Sequence, residues 1–151
     1  MKLEHDFKKY PELNNAELER WELVSPHKQI KEDFRAVVVK VHDGDTITLR
    51  CDFRDFDFPL RLLDIDTKEM NAGGAEARDW LKGQILGEEV LIMINRKNRV
   101  EKYGRLLGYV ISRGMNMNEA LIRIGLAVPF SVRREEQIPN IGKILDVKQW
   151  F

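Results

Sequence analysis

The chain has 151 residues, and its 25 lysine and arginine residues are balanced by 25 aspartate and glutamate residues. This length suits one ordinary domain with room for a real core, and the balanced charge argues against a protein held on DNA by a broadly basic surface. The lone cysteine, Cys51, excludes an intramolecular disulfide. The sequence has no stretch of transmembrane length and no signal-peptide pattern, so we expect a cytoplasmic protein without a membrane partner.

Residues 1–33 form an N-terminal extension whose pattern differs from that of the rest of the chain. Asn14 or Asn15 is a suitable cap for a short helix over residues 16–24, which is broken by Ser25-Pro26-His27. The extension carries no catalytic pattern, and its aromatic residues are typical of packing. The alternative is a docking surface for a protein partner or for self-association.

A strand pattern begins at Phe34. Every second residue is apolar over residues 37–41 (Val37, Val39, Val41) and 46–51 (Ile47, Leu49, Cys51), and the Asp43-Gly44 pair between these segments favours a hairpin turn. A third strand is predicted over about residues 56–64. Three consecutive strands with short connections favour an antiparallel meander over a parallel sheet.

The second half of the chain adds helices and two further strands. The pattern predicts a helix over residues 75–86, strands over 90–94 and 106–112, and a short helix over 119–124 capped by Asn118. Five strands, with a helix after the third and another after the fifth, fit a small barrel of the OB type.

The predicted fold class is therefore α+β and mainly β, a five-stranded OB-type barrel with about three helices and an N-terminal extension. We assign the barrel domain to residues 34–151, including the C-terminal tail, and the extension to residues 1–33. Such barrels frequently bind single-stranded nucleic acid, but a fold alone does not establish a function.

The third predicted strand carries unusual charge. Arg61 lies in an apolar run that opens into Asp64, Asp66 and Glu69. These acids repel one another unless a cation or arginines compensate, and oxygen ligands without nearby cysteine or histidine point to Ca²⁺ or Mg²⁺. The alternative is a solvated acidic loop. Because alternation would put Arg61 and Asp66 on opposite faces, a shared site requires the strand to bulge or end between them.

A second acidic segment, Asp43-Gly44-Asp45-Thr46, lies upstream. The hairpin turn accounts for Asp43 and Gly44, but it leaves Asp45 in a strand, where aspartate is disfavoured. Asp45 is therefore a candidate functional residue, and the alternative is a solvated acid at a strand end.

Residues 96–105 contain five basic residues and one acid. For Arg96, Lys97 and Arg99 we expect a solvated connection. Arg105 directly precedes an apolar strand, so its guanidinium is expected to lie against the body, where it can grip a phosphate with two hydrogen bonds. The acidic segments and the two arginines together indicate a metal-dependent phosphodiesterase acting on nucleic acid.

Four segments, in this order and at these separations, resemble the staphylococcal nuclease (thermonuclease) family. They are Val41-His42-Asp43-Gly44-Asp45-Thr46, Leu60-Arg61-Leu62-Leu63 running to Asp66-Thr67-Lys68-Glu69, Lys102-Tyr103-Gly104-Arg105, and Met117-Asn118-Glu119-Ala120-Leu121 with Gly125-Leu126-Ala127. The resemblance covers about residues 34–130. It implies a five-stranded OB barrel that cleaves DNA and RNA with Ca²⁺ and leaves 3′-phosphate ends.

The resemblance also implies a set of metal ligands. The carboxylates of Asp45 and Asp66 and the backbone carbonyl of Thr67 would bind Ca²⁺. Asp43 would lie in the outer shell of the metal.

A second set of roles concerns the substrate. Arg61 and Arg105 would bind the scissile phosphate, and Glu69 would be the general base for the attacking water. Lys102 and Tyr103 would contact a neighbouring phosphate.

From the residues and the resemblance together we predict a Ca²⁺-dependent, sugar-nonspecific endonuclease whose partners are DNA and RNA, with single strands preferred. The alternative is a non-catalytic OB-fold module that binds nucleic acid or protein. The aromatic pair with which the staphylococcal enzyme stacks on a base has no obvious match here, and only Phe130 is available for stacking. No base preference is therefore predicted.

Overall fold

The computed structural model describes residues 3–68, 70–102 and 104–130. In the extension, helix α1 (Asn15–Trp21) is followed by a 3₁₀ turn over Glu22–Val24. Asn14 caps α1: its side chain accepts from the Glu17 amide at 2.8 Å, and the Glu17 carboxylate accepts from the Asn14 amide at 3.0 Å. This reciprocal capping box confirms the predicted helix start.

The described strands and the two remaining helices follow in chain order. They are β1 (Phe34–Val41), β2 (Thr46–Arg50), β3 (Phe58–Leu62), β4 (Ile65–Asp66), α2 (Gly74–Ile85), β5 (Glu89–Met93), β6 (Leu106–Ser112), β7 (Met115–Asn116), α3 (Met117–Arg123) and β8 (Val128–Pro129). A short 3₁₀ turn over Met70–Ala72 precedes α2.

The strand pairing closes a barrel. β1, β2 and β3 form the predicted antiparallel meander, and β5 pairs antiparallel with both β1 and β6. β6 then pairs parallel with β3, which closes the ring of five strands. The predicted five-stranded OB-type barrel with three helices is confirmed.

Alternating apolar side chains fill the barrel interior. Helix α2 covers one side with Ala77, Leu81 and Ile85, which are all buried. Side chains that are fully buried on the barrel strands include Val38, Ile47, Leu49, Leu60, Leu62, Ile92 and Val110.

None of the described helices combines the length and the apolar character that crossing a membrane requires.

Helix α3 is attached to the barrel by a buried asparagine. The N-cap residue of α3 is Asn116, whose side chain accepts hydrogen bonds from the amides of Asn118 and Glu119 at 2.9 and 3.3 Å. The buried asparagine is Asn118. The predicted cap at Asn118 was wrong because that side chain turns inward, where it accepts from the Val110 amide at 3.1 Å and donates to the Leu63 carbonyl at 2.9 Å. These bonds tie α3 to β6 and to the turn after β3.

The N-terminal extension packs on the barrel through a buried ion network. Glu12 accepts from Arg54 Nη2 at 2.6 Å and lies 3.4 Å from Arg99 Nη2, and the three side chains are at most 2% exposed. Arg99 also donates to the carbonyls of Ile30 and Leu13 at 2.8 and 3.0 Å. The solvated position predicted for Arg99 was therefore wrong, because the extension supplies a complete set of acceptors.

Candidate active site

The turn between β3 and β4 brings Arg61 and Asp66 to the same side of the barrel. β3 ends at Leu62, and Asp64 takes a left-handed conformation with φ of 63°, so the chain changes direction before β4. Arg61 braces this turn by donating to the Leu62 carbonyl at 2.6 Å and to the Ile65 carbonyl at 2.8 Å. Its Nη2 lies 3.7 Å from Asp66 Oδ1. The strand does end between the two residues, as a shared site requires.

The turn between β1 and β2 depends on glycine at position 44. A Cβ there would lie 2.6 Å from the Ala77 Cβ and 2.8 Å from the Thr67 Cγ2. The close approach places Asp45 beside Thr67: Asp45 Oδ2 accepts from the Thr67 hydroxyl at 3.1 Å and from its amide at 3.3 Å. Gly44 thus brings two predicted metal ligands into direct contact.

A chain of polar contacts joins the two arginines. Arg61 Nη2 lies 3.4 Å from Asp45 Oδ2, and the Thr46 hydroxyl donates to Asp45 Oδ1 at 3.3 Å. Arg105 Nη1 donates to that same hydroxyl oxygen at 3.1 Å. Both guanidinium groups therefore face one cleft, with a volume of about 730 Å³, which is also lined by Asp43 and Asp66.

Glu101 orients Arg105, and sequence reasoning gave it no role. Arg105 donates through Nε and Nη2 to the two carboxylate oxygens of Glu101, with Nη2 to Oε2 at 3.1 Å. The hydrogen bonds to Glu101 raise the pKa of Arg105 above its ordinary value, although its partial burial acts in the opposite direction. The available signal was that Glu101 is the one acid in the basic segment and lies four residues before Arg105.

The surroundings of Asp43 and Asp45 shift the pKa values of the two carboxyl groups in opposite directions. Burial, together with a hydrogen bond to Asp45 and its charge, raises the pKa of Asp43 to about 6. Burial alone would raise the pKa of Asp45 as well, but the hydrogen bond from Asp43, the Arg61 charge and the bonds from Thr67 hold it below its ordinary value. The site thus concentrates negative charge around Asp45, which Arg61 offsets in part.

Of the remaining predicted residues, two line the cleft and two lie outside the part of the chain that the structure describes. Lys102 is exposed and lines the cleft. Phe130 also lines it and is 43% exposed. Glu69 and Tyr103 lie outside the residues that the structure describes. Within the described part, no three acidic, histidine or cysteine side chains form a ready-made metal cluster.

Asp64 adds a further carboxylate to the cleft wall. Its Oδ2 accepts a hydrogen bond from the Tyr109 hydroxyl at 2.5 Å. Burial, followed by this bond and the Asp64 charge, raises the pKa of Tyr109. Tyr109 therefore remains protonated and holds Asp64 in place.

The cleft combines carboxylate side chains with two oriented guanidinium groups. Forked guanidinium donors suit phosphate oxygens, and carboxylates suit a hard cation or a proton to be removed. The cleft can therefore hold a phosphate ester between cationic groups, with acids beside it.

Comparison with known proteins finds a matching family and relatives that are named as nucleases. The model of a family described as "Staphylococcal nuclease homologue" matches residues 59–148. The chain is 32% identical over 97 residues to a protein of Staphylococcus hyicus named thermonuclease, a match that covers 60% of this chain and 56% of that protein. It is 32% identical over 105 residues to a micrococcal nuclease of Shigella flexneri, covering 63% of this chain and 58% of the relative.

A protein of Bacillus anthracis described as uncharacterized is 31% identical over 104 residues, which cover 64% of this chain and 48% of that protein. The chain thus spans about half the length of these curated relatives.

Proposed function

Because the chain belongs to the family of staphylococcal nuclease homologues, we propose that it is a Ca²⁺-dependent, sugar-nonspecific endonuclease. It hydrolyses phosphodiester bonds of DNA and RNA, prefers single strands and leaves 3′-phosphate ends. Two of the relatives carry names that describe nucleases.

The observation that carries the proposal is the convergence of Arg61 and Arg105 on one cleft through Asp45 and Thr46. Two oriented guanidinium groups can share the charge that develops on a phosphate during an in-line displacement. Neither arginine side chain is fully buried, with 11% of Arg61 and 31% of Arg105 exposed. A bound phosphate can therefore reach both groups from the cleft.

The donor chemistry around Asp45 fits Ca²⁺. Asp45 and Asp66 both have a carboxylate oxygen within 3.7 Å of Arg61 Nη2, so these two acids converge, and Thr67 is bonded directly to Asp45. Two carboxylates, a backbone carbonyl and water form an all-oxygen set of the kind that Ca²⁺ accepts with flexible geometry. In the proposal Asp45, Asp66 and the Thr67 carbonyl hold the ion, with Asp43 in its outer shell. When bound, it supplies positive charge beside the scissile phosphate.

The chain's own residues provide the rest of the chemistry. Arg61 and Arg105 hold the scissile phosphate, while Lys102 and Tyr103 contact the next phosphate along the strand. Glu69 accepts a proton as a water oxygen forms its bond to phosphorus. The bond from phosphorus to the 5′ oxygen breaks, the 5′ oxygen takes a proton from solvent water, Glu69 returns its own proton to solvent, and the phosphate remains on the 3′ side.

Cleavage of an end-labelled single-stranded oligodeoxynucleotide tests the proposal. We expect fragments in the presence of Ca²⁺, none in excess chelator, and recovery of cleavage when Ca²⁺ is restored. The matched duplex should be cut more slowly, and an RNA of the same sequence should be cut as well. Undiminished cleavage in chelator would contradict the metal assignment.

The fragment ends test the position of the broken bond. Fragments with 3′-phosphates should resist extension by a terminal transferase until they are treated with a phosphatase. Fragments that are extended without phosphatase treatment would show that the bond from phosphorus to the 3′ oxygen is broken instead. Binding of the oligonucleotide without any cleavage would favour the non-catalytic module.

A further inference from the structure

Arg105 lies on a short hairpin that leads into β6. The Leu107 amide donates to the Arg99 carbonyl at 2.8 Å, and the Glu101 amide donates to the Arg105 carbonyl at 2.9 Å. Gly104 takes a φ of +90° near the tip, and its amide donates to the Glu101 carbonyl at 2.9 Å. We call the described residues 99–102 and 104–107 the arginine hairpin. Its conformation decides where the Arg105 guanidinium lies in the cleft.

The base of the arginine hairpin is held by the N-terminal extension. The Arg99 side chain is 2% exposed, and its guanidinium donates to the Leu13 carbonyl at 3.0 Å and to the Asn15 side chain at 3.1 Å. Glu12 supplies the buried countercharge at 3.4 Å. Asn15 also donates to the Arg96 carbonyl at 2.9 Å, just before the hairpin. The extension therefore contacts both the side chain at the base of the hairpin and the backbone that leads into it.

The tip of the arginine hairpin is held by a second contact from the extension. A Cβ at Gly104 would lie only 2.5 Å from Tyr10 Cδ1 and 2.7 Å from Tyr10 Cγ, so the aromatic ring packs directly on this glycine. Tyr10 is half-buried, and its amide donates to the Asp6 carbonyl at 2.8 Å. Gly104 immediately precedes Arg105. The ring thus lies one residue away from the phosphate-binding side chain.

From these contacts we propose that the N-terminal extension is a positioning element of the catalytic cleft: Tyr10 holds the tip of the arginine hairpin at Gly104, the extension's acceptors hold its base at Arg99, and together they aim Arg105 at the phosphate. The inference rests on the proposed function for its catalytic consequence. The clamp itself is a property of the fold that can be measured without turnover. Geometry matters here because misplacing a catalytic group by about 1 Å can cost about a hundredfold in rate.

Variants of Tyr10 in the full chain test the proposal. Tyr10→Ala removes the ring from Gly104 and should lower kcat for single-stranded DNA by about tenfold, within the range that misplacement can produce. Tyr10→Phe keeps the ring and should retain the wild-type rate. Lys31→Ala is the matched control, because it breaks an exposed ion pair with Glu22 within the extension and leaves the arginine hairpin untouched. It should leave kcat unchanged.

A double-mutant cycle separates positioning from general damage to the fold. If Tyr10 acts through Arg105, Tyr10→Ala should lower kcat little further once Arg105→Ala is present, since the two effects then share one group. An equal loss in both backgrounds would overturn the proposal. So would a wild-type kcat in Tyr10→Ala.

Amide hydrogen exchange provides the readout that does not depend on catalysis. Tyr10→Ala should speed exchange at Glu101, Gly104 and Leu107, whereas Lys31→Ala should not. Unchanged exchange would overturn the clamp. If the wild type cleaves no nucleic acid, the proposed function fails, and oligonucleotide affinity then replaces kcat in the cycle. Weaker binding in Tyr10→Ala that disappears in the Arg105→Ala background would still support the clamp.

Discussion

The substitution Gly44→Ala should lower both the cleavage rate and the free energy of unfolding. The new Cβ would lie 2.6 Å from the Ala77 Cβ and 2.8 Å from the Thr67 Cγ2, whereas carbon atoms make their best contact at about 3.5 Å or more. Gly44 has no positive φ, so the cost is steric and does not come from backbone strain. The turn must withdraw by roughly 1 Å to relieve the overlap.

That withdrawal sets the size of both effects. Overpacking of this kind typically costs about 1–3 kcal/mol of unfolding free energy. The bonds from Thr67 to Asp45 are already 3.1 and 3.3 Å long, so a shift of roughly 1 Å would break them. We therefore expect Gly44→Ala to lower kcat by about a hundredfold.

Urea unfolding and steady-state cleavage of single-stranded DNA measure the two effects on the same preparation. Gly83→Ala is the control: Gly83 is exposed in α2, and a Cβ added there would have no other atom within 4 Å. Alanine at this helix position should stabilise the protein by roughly 0.5–1 kcal/mol and leave the rate unchanged. Wild-type stability and rate in Gly44→Ala would refute the close approach on which the site depends.

Three further outcomes are expected. Glu12→Ala should lower the unfolding free energy by about 3–5 kcal/mol in urea, because it leaves two buried arginines without their countercharge; a loss below about 1 kcal/mol would contradict the network. Oligonucleotide binding, measured by fluorescence anisotropy, should weaken as salt is added. The log of the binding constant plotted against the log of the salt concentration should have a slope near −2, as about three phosphate contacts on a single strand produce; a slope several times steeper would reveal a larger basic surface. Asp45→Asn should weaken Ca²⁺ binding about tenfold or more in calorimetry, because fewer charged ligands lower the affinity, while Asp57→Asn on the surface should not.

Local sequence pattern was sufficient to predict the barrel and to single out Asp45 and Asp66, which both line the cleft. Alternation identified the buried positions of β2, such as Ile47 and Leu49, because one face of each strand must enter the core. The charge that follows the apolar run of β3 marked Asp66, and the structure brings it beside Arg61 by ending the strand at Leu62. These features depend on neighbouring residues, which a sequence displays directly.

The attachment of the extension could not be predicted in the same way. Glu12 meets Arg54 and Arg99 across separations of 42 and 87 residues, and no local pattern records such a pairing. A basic run is usually solvated, so Arg99 was assigned to the surface. The inward orientation of Asn118 escaped prediction for a similar reason, because an asparagine near a helix start is typical of a cap.

In the proposed function, this cleft cleaves nucleic acid with its two arginines. The most direct measurement compares the cleavage rate of one labelled single strand, in saturating Ca²⁺, by the wild type, Arg61→Ala, Arg105→Ala and Arg50→Ala. Arg50 is the control because it pairs with Asp57 on the surface and is 65% exposed. We predict losses of about a hundredfold or more for the two cleft variants and a wild-type rate for the control. No cleavage by the wild type, or equal cleavage by all four proteins, would contradict the account.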